Sequence, residues 1–353
     1  MTPLGRFPVP GQEHLRILIV TDAWKPQVNG VVTTLELLGT ELTAMGHEVR
    51  YATPQGRFSV PLPTYPEIRL AIFPRTGLET IIREFAPDAV HIATEGTMGM
   101  SARAICIEHG IEFTTAFHTR YPEYVHARFP FVPESLIWRW ERWFHSRGVA
   151  TMARTPAMKR ELESHGFQNV RLWEGGVDIN RFRPIAGAKL PFPGPIFLYV
   201  GRVSIEKNIE AFLRLDLPGT KVVVGPGPAA KELAAKYPDA KFLGPKSGEE
   251  LVQAYAASDV TVFPSLTDTF GLVMLESLAC GTPVATFPRE VMLDVVGNCP
   301  AAALDEDLGA ACRRALSLPR EAARGFVLSH SANASTRQFL DNLQVEQPQD
   351  GPA

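Results

Sequence analysis

The stretch "SLTDTFGLVMLESLACGTP", residues 265–283, carries two carboxylates, Asp268 and Glu276, around a Phe-Gly step. It follows an apolar run that reads as a strand, and is itself helix-like from about Thr269 or Phe270. On that reading Gly271 sits in the first helical turn, where backbone amides are unpaired and positively polarised. Such a terminus is an anion site, and a residue without a side chain lets a phosphate reach the backbone. If the stretch is helical throughout, the two acids stand roughly 12 Å apart at about 1.5 Å per residue. Paired glycosidase carboxylates stand about 5 to 9.5 Å apart. The spacing therefore suits the two ends of one elongated ligand better than an acid/base couple. Asp268 would lie near a sugar, the amides of Phe270, Gly271 and Leu272 near a diphosphate, and Glu276 on ribose hydroxyls. Plainer roles stay open, because Asp is a favoured helix cap and Glu276 also suits a solvated helix face.

A second stretch, "YVGRVSIEKNIEAF" (199–212), places Arg202 directly after a strand and Lys207 at the start of the next helix. Both cations then face the carboxyl edge of one sheet. Arg offers a planar fork and Lys a point charge, which together with a helix N-terminus make a diphosphate clamp. The alternative for Lys207 is an ordinary surface ion pair.

These side chains need strands that end at a common edge. "RILIV", "HEVRYATP", "DAVHIAT", "EFTTAF", "VATMA" and "NVRLW" read as buried strands in the first half, and "IFLYVG", "KVVVG", "KFLG", "VTVFP" and "PVATF" in the second. Most alternate with helical patterns such as "VVTTLELLGTELTAMG", in which Val32, Leu35, Leu38, Leu42 and Met45 recur at helical spacing and Gly46 suits the C-cap. A long loop is expected after "EFTTAF". Alternation of this kind implies α/β architecture, parallel sheets with helices on both faces. The proline-rich "RPIAGAKLPFPGP" (183–195) reads as a linker. It divides the chain into two doubly wound domains, 1–183 and 184–329, with a cleft expected between the carboxyl ends of their strands. A last helix is expected over 330–345, and a disordered tail over 346–353.

At 353 residues the chain exceeds one domain of about 100 to 150. Charged residues make up 21% and the formal net charge is -3, so the basic excess of a nucleic-acid binder is absent. The cysteines, Cys106, Cys280, Cys299 and Cys312, stand far apart without a CxxC pair, which argues against both a disulfide framework and a zinc site. No run approaches the about 18 apolar residues of a membrane span, which leads to the expectation of a cytoplasmic protein. "VVVGPGPAAKEL" mimics a dinucleotide-binding turn, but Pro226 and Pro228 remove two amides from it, so a redox cofactor is not expected.

"GRVSIEKN", followed some sixty residues later by "PSLTDTFGLVMLESLACGTPV", resembles the family-4 retaining glycosyltransferases. So do "TDAWKPQVNGVVTTL", "HIATEGTMG", "FHTRYPEYV", "GGVDINRFRP" and "LGPKSGEELVQAYAASDV", and the resemblance is nearest to the lipid-glycosylating and α-mannosyltransferase branch. It implies the GT-B fold: two Rossmann-like domains facing across a cleft, with the C-terminal helix crossing back to the first. It also implies that Arg202 and Lys207 stabilise a leaving diphosphate, that Phe270, Gly271 and Leu272 hold phosphate or sugar oxygens, and that Glu276 grips the ribose. His118 matches a family histidine at the sugar end, although a loop histidine is the plain alternative. Gly30 matches a glycine turn on the acceptor side, and Tyr121 and Tyr124 are implied acceptor contacts. Asp268 stands where the family usually has Glu, one methylene shorter.

The resemblance further implies hexose transfer from a UDP- or GDP-sugar to a membrane lipid such as diacylglycerol. No metal is expected, since the two cations and the helix terminus meet the diphosphate charge and no Asp-x-Asp motif stands between the domains. Transfer to a soluble acceptor, sugar-nucleotide epimerisation and non-catalytic binding are the rival readings. "PESLIWRWERWFHSRG" (133–148) interleaves Trp138, Trp140 and Trp143 with Arg139, Arg142 and Arg147, which suits either a bilayer interface or a core helix with a basic outer side. Trp138 and Trp140 stand about 200° apart on a helix, so the three cannot share one narrow face. Two departures from the family pattern are Glu290, Val291 and Met292 in place of a Gly-Pro turn, and Ala332 where the crossing helix usually opens with an aromatic residue.

Overall fold

The computed structural model describes residues 14–343 except 28, 63, 64 and 130, so the tail expected over 346–353 lies outside the described residues. The chain forms two compact units, dividing between Glu174 and Gly175 and again between Ala334 and Ser335.

The first unit is built on a parallel sheet in the order β2-β1-β5-β6-β7-β8. Its strands are β1 (Arg16–Val20), β2 (Glu48–Ala52), β5 (Ala89–Ile92), β6 (Phe113–Ala116), β7 (Ala150–Ala153) and β8 (Val170–Leu172). The period of two along β1 sends Leu18 and Val20 into one core with Val90, Ile92 and Phe113, and Ile17 and Ile19 into another with Leu35, Leu38 and Trp173. Both faces are covered, which is why the strands read as unbroken apolar runs. An antiparallel hairpin, β3 (Ser59–Leu62) and β4 (Tyr65–Ala71), was not foreseen. Nor is the segment after β6 one long loop: it folds into helix Tyr121–Arg128 ahead of the helix Glu134–His145. The C-terminal helix Ala332–Leu343 contributes Phe339 and Leu343 to the first unit's core, with Leu340 packed beside them and Asn342 donating to the Leu172 carbonyl, so apolar side chains beyond the small Ala332 dock it.

The second unit repeats the plan in the order β11-β10-β9-β12-β13-β14. Its strands are β9 (Ile196–Val200), β10 (Thr220–Val224), β11 (Lys241–Gly244), β12 (Val260–Phe263), β13 (Val284–Thr286) and β14 (Ala302–Leu304). Residues 175–182 belong here, ahead of the expected boundary at 183. Phe182 is buried beside the Tyr255 ring, and Arg324 donates to the carbonyls of Ile179 and Phe182.

In each sheet the winding direction reverses once, between β1 and β5 in the first and between β9 and β12 in the second. Loops leaving the carboxyl ends of such a strand pair diverge and leave a crevice, the usual ligand position in open α/β sheets.

Candidate functional site

The two reversal points differ in what they offer an anion. In the first unit, Asp22 after β1 accepts from the amides of Met98 and Gly99 at 2.9 and 3.3 Å, and from the hydroxyls of Thr94 and Thr97. The N-terminus of helix Thr97–His109 is therefore filled by the protein's own carboxylate. Burial pushes that carboxyl above its ordinary range, against the pull of those donors. Gly30 is the first residue of helix Gly30–Ala44 and not part of a separate turn. Asn29 caps this helix, its Oδ1 accepting from the amides of Val31 and Val32 at 3.1 and 3.0 Å.

In the second unit the helix after β12 begins at Leu272, later than expected, because Gly271 is its cap and not a member of its first turn. Gly271 holds φ +86°, the left-handed region that side chains rarely adopt. No side chain caps this helix, so its terminus keeps the positive end of the dipole for a ligand. Phe270, just before it, is buried with its ring over Gly175, where a Cβ would lie 2.1 Å from a ring carbon. Bare backbone at 175 is thus what lets Phe270 seat the loop.

Beside that terminus runs the loop leaving β9, since β9 and β12 are paired neighbours. Arg202 follows β9 directly, and its carbonyl accepts from the Tyr199 hydroxyl at 2.7 Å. Lys207 closes the single 3-10 turn Ile205–Lys207 and does not open the following helix. Asn208, itself left-handed at φ 51°, donates from its side chain to the Pro264 carbonyl at 3.0 Å, tying this loop to the one after β12. Lys207 Nζ thereby meets Asp268 Oδ1 at 2.5 Å, a half-buried ion pair. Asp268 is accordingly an ion-pair partner and not the cap of the helix. Its second oxygen, Oδ2, is buried and makes no hydrogen bond.

Glu276 lies one turn into the helix and is buried. Its Oε2 accepts from the Tyr255 hydroxyl at 2.7 Å. Burial raises the carboxyl's pKa, while that hydrogen bond and the nearby Arg181 charge oppose the rise. A solvated helix face is excluded for Glu276. The structure thus brings Arg202, Lys207, Asp268, Phe270, Gly271, Leu272 and Glu276 onto two neighbouring loops and one helix end of the second unit.

The remaining expected residues belong to the first unit. His118 follows β6, its ring edge-on to Trp173 at 5.6 Å. Burial, then the charge of Arg154, holds its pKa well below the ordinary histidine value, so the imidazole is neutral. Tyr121 opens helix Tyr121–Arg128, which also carries Tyr124. Burial and the nearby acids Glu95, Glu141 and Asp22 hold the Tyr121 phenol protonated. Sequence reasoning missed Arg154. It is buried at the carboxyl end of β7, 4.6 Å over the Trp173 ring, and burial draws its pKa down to about 9. The signal was present in "ATMAR", an arginine straight after an apolar strand, as Arg202 follows "FLYVG".

Helix Glu134–His145 separates its tryptophans as the 200° argument requires. Trp138 is buried, stacked on His165 at 3.8 Å and on Phe117 at 5.9 Å. Leu136, Trp140 and Trp143 form an exposed stripe at i, i+4 and i+7, with Arg139 and Arg142 also exposed. Arg103 fixes this end of the helix by donating to the carbonyls of Trp143 and Phe144. Among the described residues no helix is long and apolar enough to cross a membrane.

Residues 28–181 match the family model described as Glycosyltransferase Family 4, and residues 194–317 match Glycosyl transferases group 1. The chain is 30% identical to a GDP-mannose-dependent alpha-mannosyltransferase of Mycolicibacterium smegmatis, over 81% of this chain and 83% of that one. It is 27% identical to an alpha-monoglucosyldiacylglycerol synthase of Streptococcus pneumoniae, over 86% and 78% of the two chains. Among solved structures, a sucrose-phosphate synthase of Thermosynechococcus elongatus superimposes with a TM-score of 0.70 at 21% identity, covering 93% of this chain and 94% of the other, a likeness of fold.

Proposed function

Because the chain belongs to the family-4 glycosyltransferases and has their GT-B fold, we propose that it moves a hexose, with retention at the anomeric carbon, from a nucleoside-diphosphate sugar to a membrane lipid such as diacylglycerol. The observation that carries this reading is the uncapped helix terminus at Leu272 beside the loop of Arg202 and Lys207. A departing diphosphate gains negative charge as the glycosidic bond breaks. Preplaced amides and cations stabilise that charge more than they stabilise the bound donor, which is how such an arrangement lowers a barrier. Lys207 exchanges Asp268 for the diphosphate when donor binds, and Asp268 is then available to sugar hydroxyls. Glu276, aimed by Tyr255, takes the ribose. Neutral His118 is assigned to the hexose as a hydrogen-bonding group that adds no charge, and Gly30, Tyr121 and Tyr124 are assigned to the acceptor. The diphosphate itself takes the acceptor proton, so the work of the protein is positioning and electrostatics.

The lipid acceptor is supported by the name of the streptococcal relative and by the exposed stripe of Leu136, Trp140 and Trp143. Aromatic bodies among headgroups, with Arg139, Arg142 and Arg147 toward anionic lipid, describe a surface that rests on a bilayer at the cytoplasmic face. The test is nucleotide release from a panel of UDP- and GDP-sugars, with and without diacylglycerol vesicles, and products separated by mass. Vesicle-dependent release with a hexosylated lipid is the expected result. Release without vesicles moves the acceptor to a soluble molecule, and donor binding without any conversion overturns the catalytic reading.

A further inference from the structure

Glu95, Glu141 and His145 come from two segments of the first unit and meet in its interior. Glu95 follows β5, while Glu141 and His145 stand on adjacent turns of helix Glu134–His145. All three are buried, Glu141 completely. Glutamates this buried are rare unless something offsets their charge. His145 Nδ1 lies 2.8 Å from the Thr115 hydroxyl, which in turn is 3.3 Å from that of Thr151. With Nδ1 engaged, Nε2 is the nitrogen presented to the acids, at 3.4 Å from both Glu95 Oε1 and Glu141 Oε2.

That distance is informative. A charge-assisted hydrogen bond from an imidazolium would close to about 2.7–2.9 Å, and none of Glu95 Oε1, Glu141 Oε1, Glu141 Oε2 or His145 Nε2 makes a hydrogen bond here. Ligands of one tetrahedral ion, each bonded at about 2.1 Å, stand about 3.4 Å from one another. The three ligand atoms lie within 4.8 Å of one another. A hydroxyl on the far ring nitrogen is the kind of outer partner that orients a metal-bound histidine.

We propose that Glu95, Glu141 and His145 bind one divalent transition-metal ion, zinc by the chemistry of an imidazole and two carboxylates, as a structural centre of the first unit. The ion pins helix Glu134–His145 to the loop after β5. Its ligands are none of the residues assigned to the donor's diphosphate, which belong to the second unit.

The experiment uses the full tag-free chain. Metal content is measured by mass spectrometry as purified and after chelation, and the chelated protein is then titrated with Zn2+ and, separately, with Co2+. About one ion per chain, a higher Tm on adding Zn2+, and the visible bands of tetrahedral cobalt are expected. Glu141→Gln should weaken Zn2+ binding by more than tenfold. A wild-type chain that takes up neither ion and shows no Tm change overturns the proposal, as does a folded Glu141→Gln chain that binds Zn2+ as tightly as wild type. Should that variant fail to fold, the cobalt spectrum of the wild type decides alone: absent bands mean that the three groups share protons and hold no metal.

Discussion

Lys207 Nζ lies 2.5 Å from Asp268 Oδ1, across two loops that leave neighbouring strands of the second sheet. The cation expected to hold a diphosphate is therefore held by the acid expected to hold a sugar. If donor binding exchanges these partners, the two residues should respond differently to substitution. Lys207→Ala should lower turnover more than tenfold and weaken diphosphate binding. Asp268→Asn should also lower turnover, yet tighten binding of the free nucleoside diphosphate by roughly tenfold, about 1.4 kcal/mol, because Lys207 is no longer engaged. Calorimetric titration of the diphosphate into both variants checks this. Weaker binding to Asp268→Asn would mean that the acid positions the lysine and does not compete for it.

Glu276 has one oxygen fixed by the Tyr255 hydroxyl at 2.7 Å in a buried setting. Tyr255→Phe keeps the ring and removes only that bond, leaving a buried carboxylate oxygen less satisfied. The donor KM should rise about threefold to tenfold with kcat nearly unchanged, since the ribose contact exists before and during transfer. A fall in kcat at constant KM would place Glu276 nearer the reacting atoms.

Buried parallel strands are the part of this fold most open to reading from sequence, because covering both faces leaves apolar runs such as "RILIV" and "IFLYV" with no polar interruption. The β3–β4 hairpin escaped notice because Pro61 and Pro66 make its strands read as loop. β14 is three residues long and gives no periodicity to detect. Arg202 was open to reading because it lies just past β9, whereas the helix terminus at Leu272 stands well beyond the end of β12 and was read too early. The Lys207–Asp268 pair, 61 residues apart, and the Glu95–Glu141–His145 cluster were not legible, since only the order of strands in a sheet brings such segments together. Helix starts shifted for a local reason: a left-handed glycine can end a loop as readily as it can sit in a turn, and the pattern of apolar residues does not distinguish the two.

Gly175 offers a test of the loop that carries the helix terminus. A Cβ there would lie 2.1 Å from Cε1 and 2.5 Å from Cδ1 of Phe270, both in the same unit. The ring is rigid and buried, so Gly175→Ala must move Phe270 and with it the backbone leading into Gly271. Donor affinity should fall more than tenfold, and Phe270→Leu in the same chain should restore part of it by making room. Unchanged affinity in the single variant would separate Phe270 from the donor site.

His118 is kept neutral by burial and, second to that, by the Arg154 charge. Wild-type kcat should therefore show no acid limb from this group near its ordinary value of 6.5. Arg154→Gln removes a positive neighbour, which must raise the His118 pKa and move any acid limb to higher pH. A pH–rate profile of the two proteins checks the shift, and superimposable profiles would mean that Arg154 does not act on this histidine.

His91 gives the pH dependence of stability a sign. It is buried in β5 with its ring against Trp173 and Phe339 and Nδ1 2.9 Å from the Thr114 hydroxyl. Burial, then the Arg154 charge, lowers its pKa from 6.5 to about 3. The unfolded chain thus takes up a proton near pH 6.5 that the folded chain refuses until near pH 3. Between those limits the unfolded state binds more protons, so stability is complete above the upper value and is lost as pH falls. The loss is roughly 1.4 kcal/mol per pH unit, about 2 kcal/mol by pH 5. His91→Phe keeps an aromatic ring in the cluster and cannot take up the proton. From about pH 7 to pH 5 the urea midpoint should accordingly fall further in wild type than in His91→Phe. Parallel falls would mean that the folded chain accepts the proton at His91, and that Trp173 and Phe339 do not seal it from water.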